Sequence, residues 1–272
     1  MSFDRPEPQN TVPVDARITD PIEGREPNHL AAAEWRLLGW LEREGFAADT
    51  YSDVHLHTGA LDLDAYRVLV LNTHPEYWTR RMYDRVLTWV TERGGRLVYL
   101  GGNGVDCEVE LPHEYTMIVR NGDNRVLESN PSALQTRFGM RGVQTASLLG
   151  VRDDGAGFLT GAPYRVIDAA HWIFEGTGLS DGDLFGERSL STRSPGGASG
   201  HEMDKTTESS PPGTTLLAKG ANVGGTGAEM VHYQTVSGGE VFSVGSLAYP
   251  SALPVDDAVS RITANVLRSF TA

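Results

Sequence analysis

The side chains with the clearest capacity for chemistry follow an apolar segment that is typical of a buried strand. Residues 66–71 are rich in Val and Leu, and residues 72–78, Asn-Thr-His-Pro-Glu-Tyr-Trp, come directly after them. His74 and Glu76 can exchange protons, and Tyr77 adds a phenol. Because ligands bind at the carboxyl ends of strands in open α/β sheets, this segment is expected to border a ligand site.

A second polar segment could supply further ligand atoms. Residues 199–204 have the sequence Ser-Gly-His-Glu-Met-Asp and follow a low-complexity run. His201, Glu202 and Asp204 are residue types that bind metal ions, but polar loops of this composition are also common without a metal. The segment alone therefore leaves both a metal site and an ordinary loop open.

The single cysteine argues against several kinds of site. Cys107 cannot form an internal disulfide or a cysteine-based zinc cluster. Its neighbours are Val-Asp before it and Glu-Val-Glu after it, so the flanking glycines of a nucleophile elbow are missing. Neighbouring carboxylates raise the pKa of a thiol and suppress the reactive thiolate. We therefore expect that Cys107 is not a nucleophile.

The elements that must position these residues alternate between helix and strand. Helical spacing of apolar residues predicts helices at residues 29–45, 79–93 and 256–270. Apolar runs predict strands at 66–71 and 96–100, with shorter ones at 47–51, 115–119, 164–167, 172–174, 214–218, 229–234 and 240–244. This alternation predicts an α/β fold with three layers and a mostly parallel sheet.

The chain is expected to divide into an arm and one domain. Residues 1–28 are rich in proline and acidic residues, which predicts an N-terminal arm, and residues 29–272 are expected to form the α/β domain. Within it, residues of about 105–212 read as a long loop/β insertion that folds over the sheet edge. The insertion carries apolar residues that would need cover if exposed: Phe138, Met140, Trp172 and Phe174. We therefore expect a homo- or hetero-oligomer.

Composition limits the partners and the location. The 272 residues carry a formal net charge of −13, which argues against nucleic acid or an anionic membrane as a partner. No apolar run approaches the length of a membrane span, and the first residues do not have the pattern of a signal peptide. We expect a cytoplasmic protein that binds neither nucleic acid nor a membrane.

Taken together, the motifs resemble a known family. Residues 74–78, His-Pro-Glu-Tyr-Trp, and 94–104, Gly-Gly-Arg-Leu-Val-Tyr-Leu-Gly-Gly-Asn-Gly, look like parts of the C-terminal domain of the N,N-dimethylformamidase large (beta) subunit and its relatives. Further matching segments are residues 174–178, 196–204, 242–246 and 262–267. The resemblance implies a fold similar to class I glutamine amidotransferases without their catalytic cysteine, in agreement with the argument about Cys107.

The resemblance also implies a metal and a reaction. Members of this family hydrolyse a linear amide C–N bond with a mononuclear iron, which two tyrosines and one glutamate hold. Carried over to this sequence, the ligands are Tyr77 and Glu202, with Tyr115 as the second tyrosine by spacing alone. Phenolate and carboxylate are hard donors that suit Fe³⁺. The iron would polarise the carbonyl of a small amide substrate or lower the pKa of a bound water.

Proton-handling roles follow from the same resemblance. His201 is the histidine nearest to Glu202 and is expected to assist catalysis. His74 and Glu76 flank Tyr77, so they could orient the ligands or act as a general base. Both also have a structural alternative, in which His74 caps the strand end and Glu76 begins the following helix beside its positive dipole.

Two hypotheses for the whole protein remain. The family's large subunit carries an additional N-terminal region, whereas only about 28 residues precede the matching part of this sequence. The first hypothesis is therefore an iron-dependent amide hydrolase that is either one subunit of a split enzyme or a stand-alone relative. The alternative is a non-catalytic amidotransferase-like binding or scaffold subunit, in which Tyr77 and Trp78 pack or stack on a partner. Bound iron distinguishes the two.

Overall fold

The computed structural model describes residues 30–120 and 136–272, so the predicted N-terminal arm lies outside the described residues. The helices in these ranges are α1 (Ala31–Glu44), α2 (Asp53–Thr58), α3 (Arg80–Arg93), α4 (Ala146–Leu149) and α5 (Asp257–Thr271). The strands before residue 121 are β1 (Val68–Thr73), β2 (Tyr77–Trp78), β3 (Arg96–Gly101), β4 (Cys107–Glu108), β5 (Glu110–His113) and β6 (Thr116–Ile118). Those after residue 135 are β7 (Arg152–Asp153), β8 (Gly161–Ala162), β9 (Tyr164–Val166), β10 (Leu184–Phe185), β11 (Ser199–Gly200), β12 (Asp204–Lys205), β13 (Thr215–Gly220), β14 (Glu229–Gln234) and β15 (Glu240–Ser243).

The long helices are those that the apolar spacing predicts. In α1, Trp40 is buried against the sheet, and Gly45 ends the helix with a left-handed φ of 77°. The hydroxyl of Thr79 accepts the backbone N–H of the third helical residue and so caps the start of α3. Gly94 ends α3 with a φ of 74°. The helices predicted at 29–45, 79–93 and 256–270 are therefore confirmed.

Seven of the described strands form the central sheet, in the order β1-β3-β15-β14-β13-β9-β10. Strands β1, β3 and β15 pair in parallel. The pairs β15–β14, β14–β13, β13–β9 and β9–β10 are all antiparallel. The fold is therefore mixed α/β with a mostly antiparallel sheet, and the expected mostly parallel, glutamine amidotransferase-like sheet is wrong.

The connections between the last strands explain this difference. Strands β13, β14 and β15 follow one another in the chain with short connections and no intervening α-helix. Parallel neighbours need a crossover of a dozen or more residues, whereas a short connection returns the chain in the opposite direction. These strands therefore pair as antiparallel neighbours, and only β15 meets β3 in parallel.

The core lies on both faces of the sheet, because side chains alternate along each strand. In β3, Val98 and Leu100 face a cluster that includes residues of α1 and α5. The intervening Leu97 and Tyr99 face a second cluster that includes Trp89 of α3. Both clusters are fully buried at these positions, so β3 is fixed from two sides. This matters for function because β3 leads directly into the candidate site.

Two shorter predictions are wrong. Residues 47–51 do not form the predicted strand, and helix α2 begins shortly after them. Trp172–Phe174 forms a 3₁₀-helix instead of a strand, and His171 caps it by accepting the backbone N–H of Ile173. In both cases a short apolar stretch fits either structure, and its packing decides which one forms.

The expected exposure of the insertion is only partly present. Phe138 and Phe174 are buried, and Trp172 packs against the core beside α5. Met140 is 65% exposed. The apolar surface that suggested an oligomer is therefore smaller than expected, and the oligomer stays a prediction. So does the division into an arm, a domain and an insertion, although β9 and β10 of the predicted insertion join the central sheet.

None of the helices in the two described ranges is both long and apolar enough to cross a membrane. The cytoplasmic location and the absence of a nucleic-acid partner stay predictions.

Candidate functional site

The candidate site forms where β1 and β3 end. Thr73, the last residue of β1, pairs with Gly101, the last residue of β3, so the segments that follow leave the sheet side by side. Glu202 reaches the same edge because the backbone N–H of Leu247, just after β15, donates to its carbonyl oxygen at 3.3 Å. Gly102 allows this approach, since a Cβ there would lie 2.2 Å from that carbonyl oxygen. The two sequence motifs are thus brought together.

The backbone is strained at each of these segments. Thr73, Asn103 and His201 have φ angles of 60°, 49° and 74°, in the left-handed region that disfavours residues with a Cβ. Each such residue costs about 1–3 kcal/mol, and strain of this kind is common at functional sites. Thr73 precedes His74 and His201 precedes Glu202, so the strained residues aim the candidate site residues.

His74 connects the two motifs. Its Nε2 lies 3.2 Å from Oε2 of Glu76 and 3.0 Å from Oε2 of Glu202. The side-chain nitrogen of Asn103 is 3.4 Å from the same ring atom. Side chains that are about 130 residues apart in sequence therefore converge on one imidazole nitrogen.

These contacts set the charges at the site. Burial alone lowers the pKa of His74, but the hydrogen bonds to Glu202 and Glu76 outweigh it and raise the pKa to about 9. Burial raises the pKa of Glu202, whereas the bond from His74 brings it below its ordinary value. At neutral pH the site therefore contains an imidazolium between two carboxylates.

Tyr77 lies beside this group and is 38% exposed. Its hydroxyl hydrogen-bonds to Glu76, and Glu202 is close enough to act on its charge. Burial and then the charge of Glu76 raise the pKa of Tyr77, so the phenol stays protonated without a cation nearby. Its neighbour Trp78 is fully buried and packs in the core, so it does not form an exposed stacking surface.

Cys107 lies next to the same carboxylate. Its Sγ is 3.4 Å from Oε1 of Glu76 and 3.6 Å from Oδ2 of Asp106. Burial, followed by the charge of Glu76, raises the pKa of the thiol. This agrees with the expectation that Cys107 is not a nucleophile. Ligand atoms of the three residues lie within 4.8 Å of one another, so they form a small donor cluster.

A buried hydrogen-bond network holds the loop after β3. The hydroxyl of Tyr99 donates to Oδ2 of Asp204 at 2.8 Å and accepts the backbone N–H of Gly104 at 2.7 Å. Oδ1 of Asp204 accepts the backbone N–H of Asn103 at 2.8 Å. Burial and then the charge of Asp153 raise the pKa of Asp204 to about 7. The network fixes Asn103 against the rest of the site.

His201 and Tyr115 are the remaining residues that the sequence predicts for the site, and their surroundings differ. His201 is buried, with its ring edge-on to Phe158 at 5.8 Å, and burial lowers its pKa to about 4. Tyr115 is 60% exposed at the turn of the β5–β6 hairpin. Among the described residues, its hydroxyl bonds to the adjacent Glu114 rather than to Tyr77 or Glu202. The structure therefore brings His201 to the site, whereas the described contacts of Tyr115 are with its own hairpin.

The donor atoms at this edge suit a hard cation. The phenol of Tyr77 and the carboxylates of Glu76 and Glu202 are the oxygen donors that Fe³⁺ prefers. The nearest positive charge to both carboxylates is that of His74. The chemistry of Tyr77 and Glu202 thus fits the expected iron, Glu76 supplies a further oxygen donor at the same edge, and Tyr115 stays a predicted ligand.

A cavity of about 640 Å³ opens beside these residues. Glu76, Asn103 and Glu202 line one side of it, and the residues around β7 line the rest. Its volume is in the range of about 300–1,000 Å³ that is usual for small-molecule sites. The site therefore has space for a substrate as well as groups that could act on it.

The sequence motifs did not identify all of these residues. Asn103 was not singled out, although an asparagine flanked by glycines after a strand is a recognisable signal. The ring of Tyr99 is buried in the core, and its hydroxyl reaches Asp204. Arg152 and Asp153 lie in a segment without a motif, so only the fold reveals that they line the cavity.

Comparison with known proteins supports the family. The chain is 27% identical over 307 residues to the N,N-dimethylformamidase beta subunit of Alcaligenes sp, covering 92% of this chain and 39% of that protein. It is 28% identical over 287 residues to the beta subunit from Paracoccus aminophilus, covering 88% and 36%. The chain thus spans less than two fifths of the length of these curated relatives.

Similar solved structures include two β-galactosidases. The enzyme from Bacillus circulans sp. alkalophilus has a TM-score of 0.48 at 14% identity, over 87% of this chain and 26% of that chain. The enzyme from Rahnella sp. R3 has a TM-score of 0.48 at 12% identity, over 89% and 27%. The family described as N,N-dimethylformamidase beta subunit-like, C-terminal, matches residues 1–262. The chain therefore belongs to this family.

Proposed function

We propose that this chain is the metal-binding catalytic domain of a hydrolase that cleaves linear amide C–N bonds. The observation that carries the proposal is the convergence of Glu76 and Glu202 on Nε2 of His74, beside Tyr77 and a cavity. The names of the relatives, which are beta subunits of N,N-dimethylformamidase, support this class of reaction.

In this proposal Tyr77 and Glu202 hold an Fe³⁺ ion, and Glu76 is close enough to be a third oxygen ligand. Tyr115 stays a predicted ligand. When bound, the ion supplies a positive charge that polarises an amide carbonyl or a water molecule.

The two histidines of the site have opposite pKa shifts and therefore differ in protonation at neutral pH. His74 keeps its proton at neutral pH because its pKa is raised to about 9, so it orients the two carboxylates rather than acting as a base. His201 has a lowered pKa of about 4 and is neutral at the same pH. A pKa of about 4 makes His201 a weak base, and His201 is not among the residues that line the cavity. Glu76 lines the cavity wall and is the better-placed acceptor for a proton from the water that attacks the amide.

The test is iron content and amide hydrolysis in matched variants. Elemental analysis and an absorption spectrum of the purified protein are expected to show iron with a phenolate-to-iron band. Tyr77→Phe and Glu202→Gln should lose the iron, and hydrolysis of dimethylformamide should fall with it. Tyr115→Phe tests whether Tyr115 is an iron ligand. The variant should keep its iron if Tyr115 contacts only its own hairpin, and lose it if Tyr115 binds the ion. Wild-type protein that stays free of metal after anaerobic iron loading would leave only a binding or scaffold role.

We also propose that the active form is a homo- or hetero-oligomer. The relatives are named as subunits, and this chain spans less than two fifths of their length. Light scattering coupled to size-exclusion chromatography should show a mass above that of one chain. A constant monomer mass across concentrations, with full activity, would contradict this.

A further inference from the structure

Two basic residues lie in the wall of the cavity beside the site. Arg137 and Arg152 line it together with Glu76 and Glu202. A cavity built only to hold a small neutral amide against a cation does not need a guanidinium group. The question is therefore which of these cations already has a partner.

Most charges around the cavity are paired. Arg137 Nε lies 3.6 Å from Oδ2 of Asp106. Lys205 Nζ lies 2.6 Å from Oδ1 of Asp154. The carboxylates of the catalytic edge flank the imidazolium described above. These pairs leave Arg152 as the cation to be explained.

Among residues 30–120 and 136–272, the side chain of Arg152 makes no hydrogen bond and has no carboxylate oxygen within 4.0 Å, whereas its backbone pairs with β12. Its Nη1 lies against the backbone of Gly139, 3.1 Å from where a Cβ would be. In the β7–β12 pair it stands opposite Lys205, so its neighbour across the ladder is another cation. Its charge acts on Asp106 only as the weakest of several influences, well after that of Arg137.

An arginine in this position is suited to a ligand carboxylate. The guanidinium is planar and presents its N–H groups as a fork that matches a carboxylate in two parallel bonds. The side chain is half-buried, so such a pair would be screened less than one on the open surface. Asp153 and Asp154 lie next to it in the cavity wall and repel any anion, so a ligand with one carboxylate is repelled less than a ligand with more negative charge.

We propose that the cavity takes an amide that also carries one carboxylate, such as an N-formyl amino acid, with Arg152 as the residue that binds the carboxylate. The proposal rests on the proposed hydrolase function. In the reaction, the oxygen of water bonds to the formyl carbon, the C–N bond breaks, and the nitrogen takes up both protons of the water, which gives formate and an amino acid with a protonated amino group. Phe158 and Met140 at the rim, 53% and 65% exposed, would cover the apolar part of the substrate.

The experiment compares N-formylglycine with N-formylglycinamide, which has the same size without the negative charge. We expect the iron-loaded protein to prefer N-formylglycine in kcat/KM, and Arg152→Met to lower this preference by about 10- to 100-fold, the value of a hydrogen-bonded charge pair. Arg152→Lys should retain part of the preference. Arg141→Met is the matched control, because Arg141 pairs with Glu108 and does not line the cavity.

A binding measurement separates this proposal from the hydrolase function. Calorimetry with N-acetylglycine as the probe should show binding to the wild type and none to Arg152→Met, with unchanged thermal unfolding of the variant. If no amide is hydrolysed but this binding pattern holds, the carboxylate site stands and the hydrolase proposal fails. If amides are hydrolysed with the same preference in the wild type and in Arg152→Met, the carboxylate site is refuted.

Discussion

Removal of the Tyr99 hydroxyl tests whether the buried network supports the site. In Tyr99→Phe, Oδ2 of Asp204 loses a donor at 2.8 Å and the backbone N–H of Gly104 loses an acceptor at 2.7 Å. Both partners lie in the interior, and leaving a buried polar group unsatisfied costs about 1–3 kcal/mol. We therefore expect the free energy of unfolding to fall by about 2–5 kcal/mol.

Tyr233→Phe is the matched control. Tyr233 packs in the same core cluster, but its hydroxyl makes one hydrogen bond, to the carbonyl oxygen of Leu148 at 2.5 Å. One neutral partner is lost, so the expected cost is about 1–2 kcal/mol. Both substitutions remove one hydroxyl oxygen from a buried tyrosine. They differ in the number of hydrogen-bond partners that this hydroxyl has, which is two for Tyr99 and one for Tyr233.

The assay is urea unfolding at pH 7, followed by circular dichroism, with the slope against urea checked for each variant. The network also predicts a functional difference, because only Tyr99→Phe removes the bond to Gly104 and the donor to Asp204, the residue that holds Asn103. Iron content should therefore fall in Tyr99→Phe and not in Tyr233→Phe. The reasoning is refuted if Tyr99→Phe costs no more stability than Tyr233→Phe and keeps its iron.

Three further substitutions have outcomes that the structure determines. Glu229→Gln should lower the free energy of unfolding by about 1–2 kcal/mol at pH 7, because the buried carboxylate accepts bonds from Thr206 N and Lys219 Nζ at 2.9 and 2.8 Å. Burial raises the pKa of Glu229, but these bonds outweigh it and lower the pKa below the ordinary 4.5, so the stabilisation is present above 4.5 and is lost as the pH falls through the folded-state pKa. Gly102→Ala should destabilise the protein and reduce its iron content, since its Cβ would meet backbone at 2.2 Å. Gly39→Ala should raise the free energy of unfolding by about 0.5–1 kcal/mol, because nothing lies within 4 Å of its Cβ in helix α1.

Urea titrations check all three. For Glu229→Gln they are repeated at pH 3, where the difference from the wild type should shrink, and a constant difference would contradict the assigned ion pair. Gly39→Ala is also the control for Gly102→Ala, since both add the same methyl group. Equal effects of the two substitutions would show that the close approach at Gly102 is not needed.

Local sequence pattern predicted the elements of this fold better than their pairing. The strand predicted at 229–234 is confirmed at both ends, and Gly45 and Gly94 end helices α1 and α3 close to the predicted positions. The direction of the sheet was missed because pairing depends on residues far apart in sequence. Strand β15 inserts between β3 and β14, and nothing in the composition of residues 240–244 indicates that neighbour.

Site residues could be predicted from the sequence when they lay in a motif of several adjacent residues. Tyr77 and Glu202 do lie near each other, through two motifs that the sequence displays. Tyr115 was placed by spacing alone, and spacing does not determine which way a hairpin points. Arg152 is a single charged residue outside any motif, and only the placement of the surrounding charges shows that its side chain has no ion pair within the described residues.

The position of β15 also has a consequence for how the protein is synthesised. Strand β3 leaves the ribosome long before its neighbour β15, which begins at Glu240. Until then one edge of β3 has unpaired backbone groups, and such edges invite pairing with other chains. The segment after β15 also holds Glu202 in place through Leu247, so a nascent chain cannot assemble the site early. Ribosome-bound chains that stop before Glu240 should therefore need chaperones and bind no iron, and both should change once residues 240–247 have emerged.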